Sequence, residues 1–478
     1  MIRACRDLGM AAVAVYSDAD RGALHVRLAD EAYAIGPAAP RESYLAIDKL
    51  VAVATRAGCD SVHPGYGFLS ENADFATAVR KAGLAFVGPP AEVQRLLGEK
   101  TRARHLAAEA GIPVVDGAAD PLKGIDEARA VAARVGYPVM LKAAGGGGGK
   151  GMRSVRTAEE LDAAWRVATG EAASAFGTPA LFLERLIEGA RHIEVQLIAD
   201  DHGNIVWLGE RDCSVQRRHQ KLIEESPGPS VDDDLRARLG DAAVRIARKA
   251  GYRNAGTVEF LVNDEGQFFF LEVNTRLQVE HPVTELVTSL DLVALQFRVA
   301  AGERLPFAQD EVRRSGAAIE LRITGEDARA GFVPASGSIA LLRLPSGPGV
   351  RVDHALFEGM RVPTEYDPLL AKIVVWGTDR ATAVARARGA VRETVIAGLP
   401  TSLSFHAYAL ADADFVAGRY DTGFVASHWP PAEPPDLEGT ALTSAALVAV
   451  LASRGRSAHG TNGVATAWQR TAREDALR

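Results

Sequence analysis

The stretch Leu271-Glu272-Val273-Asn274-Thr275-Arg276-Leu277-Gln278-Val279-Glu280-His281-Pro282 constrains the fold of this chain more than any other. From Glu272 to Glu280 every second residue is a carboxylate, an amide or a guanidinium, and Val273, Leu277 and Val279 lie between them. Only an extended backbone places residues i and i+2 on one face. The run therefore predicts a strand that gathers two carboxylates, two amides and a cation in a small volume. An isolated alternating strand usually has a solvated polar face. The surrounding segments argue against that here.

The chain has 478 residues, a length that corresponds to about three domains. Its net charge of −7 gives no electrostatic case for nucleic acid or an anionic membrane. The three cysteines, Cys5, Cys59 and Cys213, are too far apart for a disulfide framework or a zinc pattern, and they fit a reducing cytoplasm. The apolar run Ala445–Ala452 is too short to cross a bilayer. Lysine is scarce: of nine lysines, four (Lys100, Lys142, Lys150 and Lys221) fall in segments that look directed at phosphate.

The first part alternates short strands with helical patterns, the layout of a parallel α/β unit. Strands are expected at Ala11–Tyr16, Ser61–His63 and Ala85–Val87, and helices at Ser43–Ala57 and Ala73–Ala82. One helical stretch, Ala91–Ala110, leads to a second unit at about Pro113–Leu186. It holds strand Val139–Ala143, a glycine loop, helix Ala158–Ala168 and strand Ala180–Leu186. A region of hairpins follows, with His192–Ala199 turning into Ile205–Arg211, and Thr257–Val262 into Gln267–Asn274. Further α/β segments run to Trp429. Pro430-Pro431-Ala432-Glu433-Pro434-Pro435 reads as a linker, followed by one apolar helix at Thr443–Ala452.

The segment Lys142-Ala143-Ala144-Gly145-Gly146-Gly147-Gly148-Gly149-Lys150-Gly151 follows a strand. Consecutive glycines let backbone N–H groups close around a phosphate without Cβ obstruction. It is not a P-loop, because Ala144 replaces the first glycine and Gly151 the magnesium-directed Ser/Thr. The second hairpin places carboxylates. With a four-residue loop at Asn263–Gly266, Glu259 falls opposite Phe270 and shares a face with Glu272 and Asn274. Two carboxylates and an amide oxygen within about 7–8 Å suit one or two Mg²⁺ ions bridging nucleotide phosphates. Arg217-Arg218-His219-Gln220-Lys221 is dense in donors. No histidine pattern points to zinc.

A glycine-rich cradle, scattered lysines and a carboxylate/amide site on a hairpin together resemble the ATP-grasp superfamily. Longer motifs narrow the resemblance to biotin carboxylases. They are His63-Pro64-Gly65-Tyr66-Gly67-Phe68-Leu69-Ser70-Glu71-Asn72, the glycine loop, the Arg217–Lys221 segment and Glu272 through Glu285. They stand in the family's order, and the resemblance covers about residues 1–429. It implies a fold of mixed α/β and α+β class. A Rossmann-like α/β domain would occupy 1–86, a connector 87–113, a mobile lid 114–187 and a catalytic and C-terminal domain 188–429, with the linker and tail at 430–478.

The resemblance also implies an activity: ATP phosphorylates bicarbonate to carboxyphosphate, and biotin is carboxylated on a carrier. Lys100, Lys142, Glu184, Arg185, Ile187, His192, Gln216, His219 and Lys221 would contact ATP, with Gly147, Gly148 and Gly149 in the lid loop. Glu259, Glu272 and Asn274 would hold Mg²⁺ or Mn²⁺. Arg276, Gln278, Val279 and Glu280 would bind bicarbonate, Glu280 acting as its base. Arg322 would stabilise the biotin enolate, since developing negative charge calls for a permanent cation. Arg276 and Lys221 complete the expected catalytic set.

Family members usually carry a further strand and an Asn-Arg-Gly-Glu-Ile-Ala segment ahead of the helix continued here by Ile2–Gly9. No Met-Lys pair occurs in the sequence and no lysine follows Lys372. The usual biotin attachment site is therefore expected on another protein or domain. The expected partners are that biotin carboxyl carrier, a second copy of the chain in a homodimer, and a carboxyltransferase subunit, without nucleic acid or membrane. The expected role is the first half-reaction of an acetyl-, propionyl- or methylcrotonyl-CoA type carboxylase in the cytoplasm. The alternatives are another ATP-grasp ligase and a non-catalytic assembly subunit.

Overall fold

The computed structural model describes residues 1–118, 120–144 and 152–430. The expected features at Gly147–Gly149, Lys150 and the 431–478 tail lie outside those residues. The amino-terminal part is the anticipated α/β alternation, built of helix α1 (Ile2–Asp7), strand β1 (Val13–Ser17), α2 (Leu24–Leu28), β2 (Glu31–Gly36), α3 (Ile47–Arg56), β3 (Ser61–Val62), α4 (Ala73–Lys81) and β4 (Ala85–Phe86). Strand β2 was not expected. It pairs in parallel with β1, while β3 pairs in parallel with β4 as a second small sheet. Asn72 caps α4 by accepting from the Phe75 amide at 2.9 Å. That start directs Phe75, Ala76 and Val79 into a core with Leu69 and Phe86.

The expected single helix over Ala91–Ala110 is two helices, α5 (Ala91–Gly98) and α6 (Lys100–Glu109). The break is at Glu99, whose φ of −90° and ψ of 112° are extended. Lys100 consequently opens a helix instead of riding in the middle of one. Helix α7 (Ile125–Val135), β5 (Val139–Ala143), β6 (Arg153–Val155), α8 (Leu161–Phe176) and β7 (Leu181–Arg185) follow. These strands form a separate antiparallel sheet in the order β6-β5-β7. It has its own core of Val139, Leu141, Val155, Leu161, Leu181 and Leu183.

The main body is an eight-stranded antiparallel sheet. Its strands are β8 (Arg191–Ala199), β9 (Ile205–Arg217), β10 (Gln220–Ser226), β11 (Asn254–Val262), β12 (Phe268–Asn274), β13 (Ala317–Thr324), β17 (Val350–His354) and β18 (Leu369–Gly377), in the order β12-β11-β8-β9-β10-β13-β18-β17. Short strands β14 (Glu326–Asp327), β15 (Val333–Pro334), β16 (Leu341–Arg343) and β19 (Val395–Ala397) pair off outside it. Helix α9 (Asp233–Ala250) packs with α5 and α6 against Ile193, Val195, Val258 and Phe260. Helix α10 (His281–Thr288) covers β9, β10, β13 and β18 on the other face, and α11 (Leu292–Ala300) lies near β11. Helices α12 (Arg380–Glu393), α13 (Leu403–Ala409), α14 (Ala413–Val416) and α15 (Phe424–His428) close a second large core over β13 and β18.

The register of the β11–β12 hairpin corrects the expectation from sequence. Val262 pairs with Phe268, so the loop has one residue more than expected, and Phe260 pairs with Phe270. A bulge then lets Glu259 face Glu272 directly instead of Phe270. One extra residue reverses the strand's alternation. Phe268 and Phe270 point into the core, as does Val273, leaving Glu272 and Asn274 on the opposite face. The strand ends at Asn274, so the even spacing from Arg276 to Glu280 belongs to irregular backbone leading into α10.

Candidate active site

On β8 the residues alternate: Ile193, Val195 and Leu197 enter the core beneath the sheet, and His192, Glu194 and Gln196 lie on the far face. Glu259 on β11 is the cross-strand partner of both Glu194 and Glu272. Lys221 reaches this group from β10. Its Nζ donates to Glu194 Oε2 at 2.6 Å, Glu280 Oε1 at 2.7 Å and Glu259 Oε1 at 3.0 Å. Three buried carboxylates thus converge on one ammonium.

The electrostatics follow from that geometry. Burial opposes the charge on Lys221, but the surrounding anions hold its pKa well above the usual lysine value. Burial would likewise raise Glu280, yet Lys221, Arg322 and Arg211 hold it well below the ordinary carboxylate range. Glu259 is depressed in the same way by Lys221 and His192, whose Nε2 lies 2.8 Å from Glu259 Oε2. Glu280 is therefore an anion with no exposed surface, tied by Lys221 on one oxygen and on the other by Arg322 at 2.8 Å.

The segment after β12 adds further polar groups to this cluster. Arg276 donates from Nη2 to Asn274 Oδ1 at 3.1 Å and from Nη1 to Gln278 Oε1 at 2.7 Å. Gln278 Nε2 approaches Glu259 Oε1 at 3.4 Å. Val279 offers its carbonyl to Lys372 Nζ at 2.6 Å. Glu280 occupies the N-cap of α10, where the helix's amino end favours negative charge. Arg322 on β13 donates from Nε to Glu224 Oε1 at 2.5 Å.

Toward the smaller sheet, Lys142 on β5 pairs with Glu184 on β7, and Arg104 on α6 donates to the second oxygen of Glu184 at 2.9 Å. Lys100 Nζ lies 3.8 Å from Glu272 Oε2. Gln216 Nε2 is 3.5 Å from His192 Nδ1. Arg218 and His219 form the two-residue turn between β9 and β10, with φ of 48° and 66°. Both occupy left-handed space normally taken by Asn-Gly, so backbone strain is stored beside Lys221. Arg185 is exposed at the end of β7 and Ile187 follows it, half-buried.

Several residues at the site were not anticipated from the sequence. Glu194 continues the alternation that begins at His192, the rule already applied to Glu272, so its signal was present. Arg211 is fully buried and donates to Glu194 at 2.5 Å and to Gln196 and Thr284 at 2.8 Å each. Glu71 accepts from the Thr275 amide at 2.9 Å and from Arg276 Nε at 3.1 Å. Glu71 stands in the His63–Asn72 motif, but nothing local shows a partner some two hundred residues away. Glu224 and Lys372 had no sequence signal.

Oxygen donors on the β11–β12 hairpin, a buried polyanionic centre and a separate small sheet carrying a lysine–glutamate pair define an ATP-grasp enzyme. Family models match in three consecutive blocks: the biotin carboxylase N-terminal domain over residues 1–94, the carbamoyl-phosphate synthase L chain ATP-binding domain over 99–308, and the biotin carboxylase C-terminal domain over 320–427. Biotin carboxylase of Nostoc sp. is 48% identical over 425 residues, covering 89% of this chain and 95% of that protein. Biotin carboxylase 1 of Bacillus subtilis is 47% identical over 429 residues, covering 90% and 95%. Among solved structures, the biotin carboxylase domain dimer of Hydrogenobacter thermophilus 2-oxoglutarate carboxylase, in complex with MgADP, ADP and bicarbonate, superposes with a TM-score of 0.87 at 43% identity, covering 89% of this chain and 94% of that one. The Campylobacter jejuni biotin carboxylase gives the same TM-score and identity, covering 89% and 95%. The chain belongs to the biotin carboxylase family and is an ATP-dependent ligase.

Proposed function

We propose that this enzyme carboxylates carrier-borne biotin in the first half-reaction of an acyl-CoA carboxylase of the acetyl, propionyl or methylcrotonyl type. Glu280 carries this reading, because a buried carboxylate held ionised between Lys221 and Arg322 is a base sheltered from water. Bicarbonate, bound by Arg276, Gln278 and the Val279 backbone, gives its proton to Glu280 as its oxygen attacks the γ-phosphorus of ATP. Carboxyphosphate and ADP result. Carboxyphosphate breaks to CO₂ and phosphate; the released phosphate takes the N1′ proton of biotin, and the resulting enolate forms its bond to CO₂ at N1′. Arg322 is the cation placed to stabilise that enolate.

Lys100, Lys142, Glu184, Arg185, Ile187, His192, Gln216, His219 and Lys221 are proposed to bind ATP. Residues 114–187 would close over it and exclude water from carboxyphosphate. Glu259, Glu272 and Asn274 supply hard oxygen donors suited to Mg²⁺ or Mn²⁺. An ion held there would neutralise phosphate charge. The solved relative that names MgADP and bicarbonate supports both assignments, and its naming as a dimer supports a homodimer here.

The acceptor is chosen by the carboxyltransferase, since related chains serve other acceptors. A pyruvate carboxylase chain of Methanothermobacter thermautotrophicus is 47% identical, and the α-subunit of rat methylcrotonoyl-CoA carboxylase is 45% identical. Isolating the native complex with its carrier and carboxyltransferase, and assaying acyl-CoA substrates against pyruvate and 2-oxoglutarate, tests this choice. Carboxylation of a 2-oxo acid alone would overturn it. Bicarbonate-dependent ATP hydrolysis stimulated by free biotin tests the half-reaction itself. Glu280→Gln should retain nucleotide binding and lose carboxylation by about 10²–10⁴-fold; near-normal turnover would remove Glu280 as the base.

A further inference from the structure

Glu224 and Glu320 are direct cross-strand partners on β10 and β13. Both carboxyl groups are fully buried. Glu224 places Oε1 against Arg322, but among the described residues its Oε2 has no hydrogen-bond partner, and Glu320 has none on either oxygen. Buried carboxylates without donors are rare, because each forfeits its hydration without replacement.

The surroundings explain why charge alone does not resolve the arrangement. Ala318 and Val374 flank Glu320 on the sheet, and Val283 and Val287 of α10 cover them with apolar surface. Lys372 on β18 is 4.0 Å from Glu320 Oε2 but 2.6 Å from the Val279 carbonyl, and Asp353 on β17 lies 3.6 Å from the same ammonium. Arg322 is divided between Glu224 and Glu280. From the amino end of α10, Glu280 adds charge and His281 does not, since burial and Lys372 push that histidine well below its ordinary pKa. Lys221 lies beyond Glu280. Four carboxyl groups therefore surround Arg322 and Lys372.

We propose that Glu224 and Glu320 share one proton, with Glu320 as the neutral acid directing its O–H at the free oxygen of Glu224. Directly opposed residues have Cβ atoms about 4.5–5.5 Å apart, within reach of such a bond. Burial raises both groups, Glu224 to about 7 and Glu320 well above the ordinary carboxylate value. Resting on the proposed role of Arg322, Glu320 is a positioning residue that acts through Glu224. With one proton on the pair, Arg322 faces Glu280 and a single further negative charge. With the proton gone, a third carboxylate holds the guanidinium back from the enolate.

The test is infrared difference spectroscopy of the whole chain, wild type against Glu320→Gln, at pH about 8, above the ordinary carboxylate range. A carboxylic-acid C=O band that shifts in D₂O should be present in wild type and lost in the variant. Glu224→Gln, which keeps an acceptor but removes the charge, should shift that band without abolishing it. Biotin carboxylation should lose an alkaline limb of its pH profile in Glu320→Gln, while bicarbonate-dependent ATP hydrolysis keeps its wild-type pH profile. Absence of the band in wild type, or identical alkaline limbs in wild type and Glu320→Gln, would overturn the shared proton. A wild type that hydrolyses ATP with bicarbonate but never carboxylates biotin would instead refute the functional reading, and the infrared result would still decide the proton.

Discussion

Asp353 shows how a single side chain records the electrostatics around the site. Burial would raise its carboxyl, but Arg351, bonded at 3.0 and 2.9 Å, and Lys372 hold it down at about 2. A depressed carboxylate stabilises the fold above its unfolded pKa, and that contribution disappears as pH falls through the folded value. Asp353→Asn should therefore lower the melting temperature near neutral pH, with the difference from wild type shrinking between about pH 4 and pH 2. Thermal unfolding across that window checks the sign. Glu280, Glu259 and Lys221 obey the same logic, with charges that burial alone would suppress kept by mutual contact.

The β11–β12 hairpin decides whether these residues can act together. Its existence was legible from alternating apolar residues and the Asn-Asp-Glu-Gly turn, and β5 was legible to the residue. The register was not, because the bulge beside Glu259 depends on which residues the core accepts. Phe268 and Phe270 claim the buried face, and only one extra residue at Leu271 then turns Glu272 and Asn274 toward Glu259. Deleting Leu271 should leave plain alternation in which Glu272 still faces Glu259 and Val273 stays in the core. Thermal stabilisation by Mg²⁺-ATP should then survive, and its loss in a thermal-shift assay would show that the bulge itself positions the two side chains. The break at Glu99 was hidden for a related reason: the helical pattern runs on through it, and only packing separates α5 from α6.

Across the whole molecule, the amino-terminal unit contributes to the site through Glu71. Its carboxylate fixes both the backbone at Thr275 and the guanidinium of Arg276. Glu71→Gln should weaken that hold by about 1 kcal/mol, since the pair is partly exposed, and raise KM for bicarbonate about 5-fold with KM for ATP little changed. Equal rises in both would show that Glu71 supports the site only in general. Contacts of this kind join segments that sequence patterns treat separately, so the strands were readable while the meeting of Glu71 with Arg276, or Arg322 with Glu224, was not.

The bond from Lys221 to Glu259 carries one more consequence. Strand β10 lies three places from β11, about 14 Å in a flat sheet, yet the two side chains meet at 3.0 Å. The two long side chains must therefore lean toward each other across the intervening β8 and β9. Whatever removes the ammonium of Lys221 also removes a tie between strands that share no backbone hydrogen bond, so the charge of the site and the bracing of the sheet change together.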